Sequence, residues 1–286
     1  MASVPFHLLD VFTDRPFGGN QLAVVRLEAA IPDGLMQQIA AEFNLSETVF
    51  VLPDGGDAHW RLRIFTPRFE LPFAGHPTIG AAVLLGGETP STLRLRENVG
   101  VVTVAVQPGR AELTVDATPE FRPVSAGRER LADVLGLPPA AVVAEPVAAS
   151  VGVPFLMIML HGEEALDAAV CNEMLWQQHV ASEWAPHLYP WCLSGSDDVS
   201  ARMFAPAMGI REDPATGAAA GALGALFALA TPAPDIERTI RVRQGVQMGR
   251  PSVIDVSLEK RAGTLVSLRI GGSAVRIASG SLEIPA

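Results

Sequence analysis

Arg63-Ile64-Phe65-Thr66-Pro67, leading into Gly75-His76-Pro77-Thr78-Ile79-Gly80-Ala81, has a near copy later in the chain. The copy is Arg202-Met203-Phe204-Ala205-Pro206, leading into Glu212-Asp213-Pro214-Ala215-Thr216-Gly217-Ala218. Each reads as strand, turn, a polar residue followed by proline, then a helix of small residues. Setting His76 on Asp213 also sets Pro77 on Pro214, Gly80 on Gly217 and Ala81 on Ala218. Agreement at both the strand and the helix start points to an internal duplication.

Between Leu71 and Gly87 there is no formal charge apart from a protonated His76, and from Pro214 to Pro234 there is none. A helix apolar on every face either spans a membrane or forms the buried centre of a globular domain. The second stretch lies between Pro214 and Pro232, is mostly Ala and Gly, and has no flanking basic cluster. That argues against a span, which takes about 20 apolar residues. The expectation is two central helices, each wrapped by strands. Proline suits a first helical position. The free N–H groups of the first turn, with the helix dipole, then form an anion-binding end. Two such ends predict a pseudo-symmetric cleft for a small anion such as a carboxylate.

The 286 residues suffice for two domains, and a hydrophobic fraction of 49% against 18% charged supplies two cores. A net charge of −10 without basic runs argues against nucleic acid as a partner. No basic, apolar leader opens the chain, and Cys171 and Cys192 stand alone, so the expected compartment is the cytoplasm. The six histidines show no metal-ligand spacing, and no metal is expected.

Strands are expected at 7–12, 21–26, 48–52, 59–66, 92–96, 99–106 and 111–115, with a helix over 33–43 whose apolar residues recur at helical spacing. Residues 116–127, with Pro119 and Pro123, read as the interdomain connection. Beyond it come a short helix at 128–135, strands near 141–144 and 154–160, and a helix from Glu163 to about Trp184. Strands near 240–244, 252–258, 265–270 and 274–278 close the chain. Solitary helices among segregated strands make an α+β fold. The halves are placed at 1–116 and 117–277, with about 278–286 returning to the first.

Glu47, between a helix and an apolar strand, is either a solvated turn residue or a partly desolvated carboxylate able to act as acid or base. Ser46 either caps local backbone donors or binds substrate. His76 either caps its helix, binds an anion or relays a proton. Asp213 suits an N-cap, and also an amino or hydroxyl group of a substrate. Gly217, Gly221 and Gly224 do not follow the dinucleotide-binding pattern, and Thr216-Gly217-Ala218-Ala219 lacks the phosphate-loop lysine. Trp176, Trp184, Tyr189 and Trp191 read as core, or as the lining of a further pocket.

The chain resembles the PhzF-like, or phenazine biosynthesis-like, family. The resemblance rests on Asp10-Val11-Phe12-Thr13, Gly19-Asn20, Asn44-Leu45-Ser46-Glu47-Thr48 and Phe73-Ala74-Gly75-His76-Pro77-Thr78 in the first half. In the second half it rests on Arg202 to Pro206, Glu212 to Gly217 and Gly249-Arg250-Pro251-Ser252. It implies the diaminopimelate-epimerase fold: two pseudo-symmetric domains, each a barrel-like, mostly antiparallel sheet around a central helix. It also implies no cofactor and a homodimer.

By the same resemblance the reaction is an isomerisation like that of trans-2,3-dihydro-3-hydroxyanthranilate, a proton moving between carbons of a small amino- or hydroxy-substituted carboxylate. Glu47 is then the acid/base, with His76 and Asp213 polarising the substrate. Asn20, Ser46, Gly75, Gly217 and Ala218 contact it. The alternatives are a related tautomerase or lyase, or a carboxylate-binding protein without turnover. Epimerases and proline racemases of this fold use a thiol at each central helix, and the matching stretches here hold no cysteine. Two departures stand out: Ala218 where the family often has Ser, and Gln21 where it has Pro.

Overall fold

Residues 2–285 are described by the structure, a computed structural model; residues 1 and 286, which the expected halves include, lie outside the described residues. The chain divides into two compact units, one running to Thr114 and resuming at Gly271, the other Val115–Ile270. The sequence reading divided it after 116 and 277.

The first unit contains β1 (Ala2–Val11), β2 (Asn20–Arg26), α1 (Asp33–Phe43), β3 (Glu47–Pro53), β4 (Trp60–Phe65), β5 (Glu70–Leu71), α2 (Gly75–Gly86), β6 (Ser91–Glu97), β7 (Gly100–Gln107) and β8 (Arg110–Thr114). The second contains β9 (Glu120–Pro123), α3 (Arg128–Val134), β10 (Val147–Ser150), β11 (Pro154–Met159), α4 (Glu163–Ala168), α5 (Glu173–His179), β12 (His187–Leu193), β13 (Asp198–Ala201), α6 (Gly217–Ala230), β14 (Ile236–Gln244) and β15 (Ser252–Arg261). A final strand, β16 (Thr264–Ile284), gives its start to the second unit and its remainder to the first.

In the first unit the order β1-β2-β3-β4-β6-β7-β8-β16 closes, because β16 also pairs with β1. Closure removes the edges of that ring, with β5 paired to β4 off the path. The β2–β3 pair is parallel across α1, and the β4–β6 pair is parallel across α2. In the second unit the order is β9-β10-β11-β12-β13-β14-β15-β16. There β11–β12 is parallel across α4 and α5, and β13–β14 is parallel across α6. The two units therefore repeat the same succession of parallel and antiparallel pairs, an α+β arrangement in both.

Small residues let each sheet pack tightly on its helix. His76 to Ala82 are all buried in α2, and a Cβ on Gly80 would lie 2.5 Å from Leu22 Cδ2 and 2.7 Å from Val11 Cγ2. In α6 the same addition at Gly224 would meet Val256 Cγ1 at 2.5 Å. These are interior helices. Among the described residues no helix is long and apolar enough to cross a membrane.

Several expectations fail for visible reasons. Residues 120–123 are not loop but the edge strand β9, where a proline such as its last residue, Pro123, is tolerated. The strand near 141–144 is a 3₁₀ turn at Pro139–Ala141, its start set by consecutive prolines, and the strand begins at Val147. The long helix from Glu163 is two short ones. Asn172 breaks it by accepting a bond from Leu175 N at 3.2 Å and capping α5. The strands near 265–270 and 274–278 are one, β16. In the second motif copy the strand stops at Ala201. Arg202 N bonds Pro190 O, but Pro190 has no N–H to return the bond. The four aromatics Trp176, Trp184, Tyr189 and Trp191 are core: three are buried, and Trp184 packs against that core.

Candidate active site

Glu47 is delivered by a helix stop. Met36, Ile39 and Ala40 bury the inner face of α1, and Asn44 ends it in the left-handed conformation at φ 50°, its N–H bonding Ala40 O. Asparagine tolerates that geometry better than most residues. Leu45 and Ser46 then turn the chain into β3, whose first residue is Glu47, opposite Leu22 of β2. Ser46 Oγ donates to Asn20 Oδ1 at 3.2 Å, tying the turn to the start of β2. Upstream, Gly19 holds φ +65°, and a Cβ there would lie 2.3 Å from Val11 O, so only glycine fits.

His76 enters the same place from α2. Its Nδ1 lies 3.4 Å from Glu47 Oε2, with 6% and 13% of the two side chains exposed. Glu47 Oε2 accepts no hydrogen bond. Burial pushes the Glu47 carboxyl up to about 7, against the smaller opposing effect of the neighbouring Ser46 hydroxyl. That places a carboxylate where gain and loss of a proton are nearly balanced at neutral pH.

The helix-cap expectations are corrected. His76 is the second residue of α2, whose N-cap is Ala74, and it does not cap the helix. Gly75 is its first residue and has open space around its Cα. The second head is built differently. Asp213 precedes α6 by four residues, and Thr216, not Asp213, is the N-cap. Pro77 lies within the first turn of α2, whereas Pro214 lies outside α6. Asp213 is buried, and Thr216 Oγ1 donates to its Oδ2 at 2.5 Å. Gly217 and Ala218 open α6, the former buried and the latter partly exposed.

The sequence does not single out several residues that build these heads. Gln244 Nε2 donates to Asp213 O at 2.8 Å and Thr216 Oγ1 at 3.0 Å, while its Oε1 accepts from Tyr189 Oη at 3.1 Å. Both side chains are fully buried and hold the Asp213–Thr216 turn. Gly245 follows at φ +74°, where a Cβ would lie 2.6 Å from Pro214 O. In the first unit, Thr78 Oγ1 lies 2.7 Å from Ala74 O and 2.6 Å from Glu97 Oε1. Glu97 alternates in phase with buried Leu95 along β6, a sequence signal for an inward-facing carboxyl that went unread.

The repeated arginines also share a role. Arg63 makes paired bonds to Glu70 at 2.8 and 2.6 Å, and Arg202 to Glu212 at 2.8 and 2.9 Å. Each guanidinium lies over its motif phenylalanine, Phe65 or Phe204, at 5.3 and 4.9 Å. Such forked pairs are geometrically exacting and pin the loop before each helix.

The thiols lie elsewhere, Cys171 between α4 and α5 and Cys192 in β12, both pushed up to about 11 mainly by burial. Neither heads a central helix. Among the described residues no group of three or more His, Cys, Asp or Glu is placed to hold a metal ion.

Residues 9–280 match the family model described as phenazine biosynthesis-like protein. The chain belongs to the PhzF family. It is an isomerase of that family. It is 40% identical to an uncharacterized isomerase of Mesorhizobium japonicum, with 97% of this chain and 98% of that protein covered. To the trans-2,3-dihydro-3-hydroxyanthranilate isomerase of Pseudomonas fluorescens it is 34% identical, covering 97% and 98%. The solved PhzF-family protein of Bacillus anthracis matches with a TM-score of 0.90 at 24% identity, over 99% of this chain and 100% of that one. A probable proline racemase of Agrobacterium radiobacter matches at 0.65 and 13% identity, over 99% and 93%, which shows an epimerase-like fold.

Proposed function

We propose that this PhzF-family isomerase moves a proton between two carbons of a small amino- or hydroxy-substituted carboxylate, with Glu47 as the single acid/base. The observation that carries the reading is the Glu47 carboxyl: 13% exposed with Oε2 covered and unbonded, 3.4 Å from His76, and near 7 in pKa. Ionised Glu47 takes a proton from a substrate C–H. The electron pair left behind delocalises into the adjoining unsaturated system, and the protonated carboxyl returns the proton to a second carbon as the double bond shifts. One base suffices when both carbons present the same face.

His76 and Asp213 act as polarising groups for the substrate's carboxylate, amino or hydroxyl functions. Asn20, Ser46, Gly75, Gly217 and Ala218 serve as contacts. Amide groups in the first turns of α2 and α6 oppose the negative charge that develops, a kind of donor worth about 3–4 kcal/mol each when removed. The matching succession of strand pairs, the repeated Arg–Glu clasps and the repeated motif support two pseudo-symmetric barrels descended from one ancestral half. The named relative of Pseudomonas fluorescens supports a cyclic hydroxy-amino acid as substrate. Ala218, lacking the hydroxyl of a serine, favours a related tautomerisation or elimination on a different metabolite as the second reading.

The test is turnover and calorimetric binding of trans-2,3-dihydro-3-hydroxyanthranilate and related cyclic carboxylates by wild type and Glu47→Gln. Retained affinity with lost turnover supports the reading. Unchanged turnover in the variant contradicts it.

A further inference from the structure

Thr78 has one hydroxyl hydrogen and two short oxygen contacts, Ala74 O at 2.7 Å and Glu97 Oε1 at 2.6 Å. Both groups are acceptors when Glu97 is ionised, and one hydrogen cannot serve two contacts this short. A second proton satisfies both: Thr78 donates to the Ala74 carbonyl, and a protonated Glu97 donates to Thr78 Oγ1. The surroundings agree. Thr78 is fully buried, Glu97 is 5% exposed, and Glu97 Oε2 accepts no bond. A bare carboxylate oxygen in that position is far costlier than the carbonyl oxygen of a neutral acid.

Among the described residues no cation on β4, β6, β7 or α2 offsets the charge. β7 carries no charged residue, and α2 carries only His76. The β4 arginines are engaged elsewhere, Arg61 with Asn98 and Arg63 with Glu70 and Asp33. On β6 itself, Arg94 pairs with Asp57, and Arg96 with Asp54 and Asp57. Burial without a counter-charge pushes the Glu97 carboxyl up to about 8, by desolvation and against the smaller opposing effect of the Thr78 hydroxyl.

We propose that Glu97 is a positioning residue, held as the neutral acid at pH 7, whose proton locks Thr78 and Ala74 and thereby sets the first turn of α2. Neutrality has a second consequence. The N-terminal end of a helix carries about half a positive charge, and an ionised carboxyl beside it would spend that field internally. A neutral Glu97 leaves the field for the substrate's anion and adds no repulsion to the ionisation of Glu47. The inference rests on the reading of Glu47 as the proton carrier, with His76 beside it in the same first turn.

The test compares Glu97→Gln, Glu97→Ala and Thr78→Val by infrared difference spectroscopy and kinetics at pH 7. Wild type minus Glu97→Gln is expected to show a protonated-carboxyl C=O stretch. Glutamine also donates to Thr78, so it is expected to retain kcat within about threefold, whereas Glu97→Ala loses about a hundredfold with little change in KM, as displacement of a reacting group does. Thr78→Val is expected to lose a similar factor, and answers the question if Glu97→Ala fails to fold. A difference spectrum showing only an ionised carboxylate overturns the proposal, as does a glutamine variant no better than alanine. Failure of the Glu47 reading shows itself separately, as full turnover in Glu47→Gln with the carboxyl band of Glu97 intact.

Discussion

Glu47 Oε2 and His76 Nδ1 lie 3.4 Å apart, joining the first residue of β3 to the first turn of α2. The separation is longer than a good hydrogen bond, as is common where catalytic contacts tighten only around a substrate. Glu47→Gln keeps the volume and removes the proposed base. Turnover is expected to fall by about 10²–10⁴-fold, with ligand affinity within an order of magnitude of wild type, measured by kinetics and calorimetry.

The pH profile follows from the sign of the Glu47 shift. The proposed first step needs ionised Glu47 and neutral Glu97, so kcat/KM is expected to rise with pH through about 7 and to fall again as Glu97 ionises near 8. A limb centred near the ordinary carboxylate value would mean that Glu47 is not buried in the free enzyme.

Stability runs the other way. Glu47 and Glu97 are raised to about 7 and about 8, so the folded chain holds protons that the unfolded chain has released. Their contribution is full below about pH 4.5 and is lost as pH climbs through 7 to 8. Glu97→Gln removes its share of this loss. Relative to wild type, the variant is therefore expected to gain stability between pH 5 and 8 by roughly a few kcal/mol, read by denaturant titration at each pH.

The second head makes a separate prediction. Gln244 spends both its donor and acceptor sides on Asp213, Thr216 and Tyr189. Gln244→Ala strands several buried polar groups and is expected to cost about 1–3 kcal/mol of stability and to lower kcat, while Tyr189→Phe costs about 1 kcal/mol. Equal, negligible effects of both on activity would detach Asp213 from the reaction.

Glycines in the central helices test the packing. Gly80→Ala gains about 1 kcal/mol of helix propensity but forces Leu22 and Val11 apart, and overpacking of this kind costs about 1–3 kcal/mol. Net loss is expected at Gly80. No loss is expected at Gly34, on α1, where a Cβ meets nothing.

Much of this was legible because its cause is local. The charge-free helices, the stripe of α1 and the Gly19–Asn20 turn each follow from residue type and spacing. What escaped depends on partners distant in sequence. Pro190 cuts short the strand that should carry Arg202, and β9 exists only because β10 offers it an edge. The unequal helix heads show the limit of motif alignment. His76 and Asp213 align, yet one sits inside its helix and the other four residues ahead. The side chains that tie down their helix heads, Glu97 through Thr78 and Gln244 through Asp213 and Thr216, lie on strands 21 and 31 residues further on, counted from His76 and Asp213.

The central claim is that Glu47 carries a proton from one substrate carbon to another. Its most direct test is proton NMR of trans-2,3-dihydro-3-hydroxyanthranilate and related cyclic amino and hydroxy acids in D₂O, with wild type and with Glu47→Gln. Enzyme-dependent isomerisation or deuterium uptake at carbon, abolished in the variant, is expected. Binding of these carboxylates without exchange, or exchange that survives in Glu47→Gln, would contradict it.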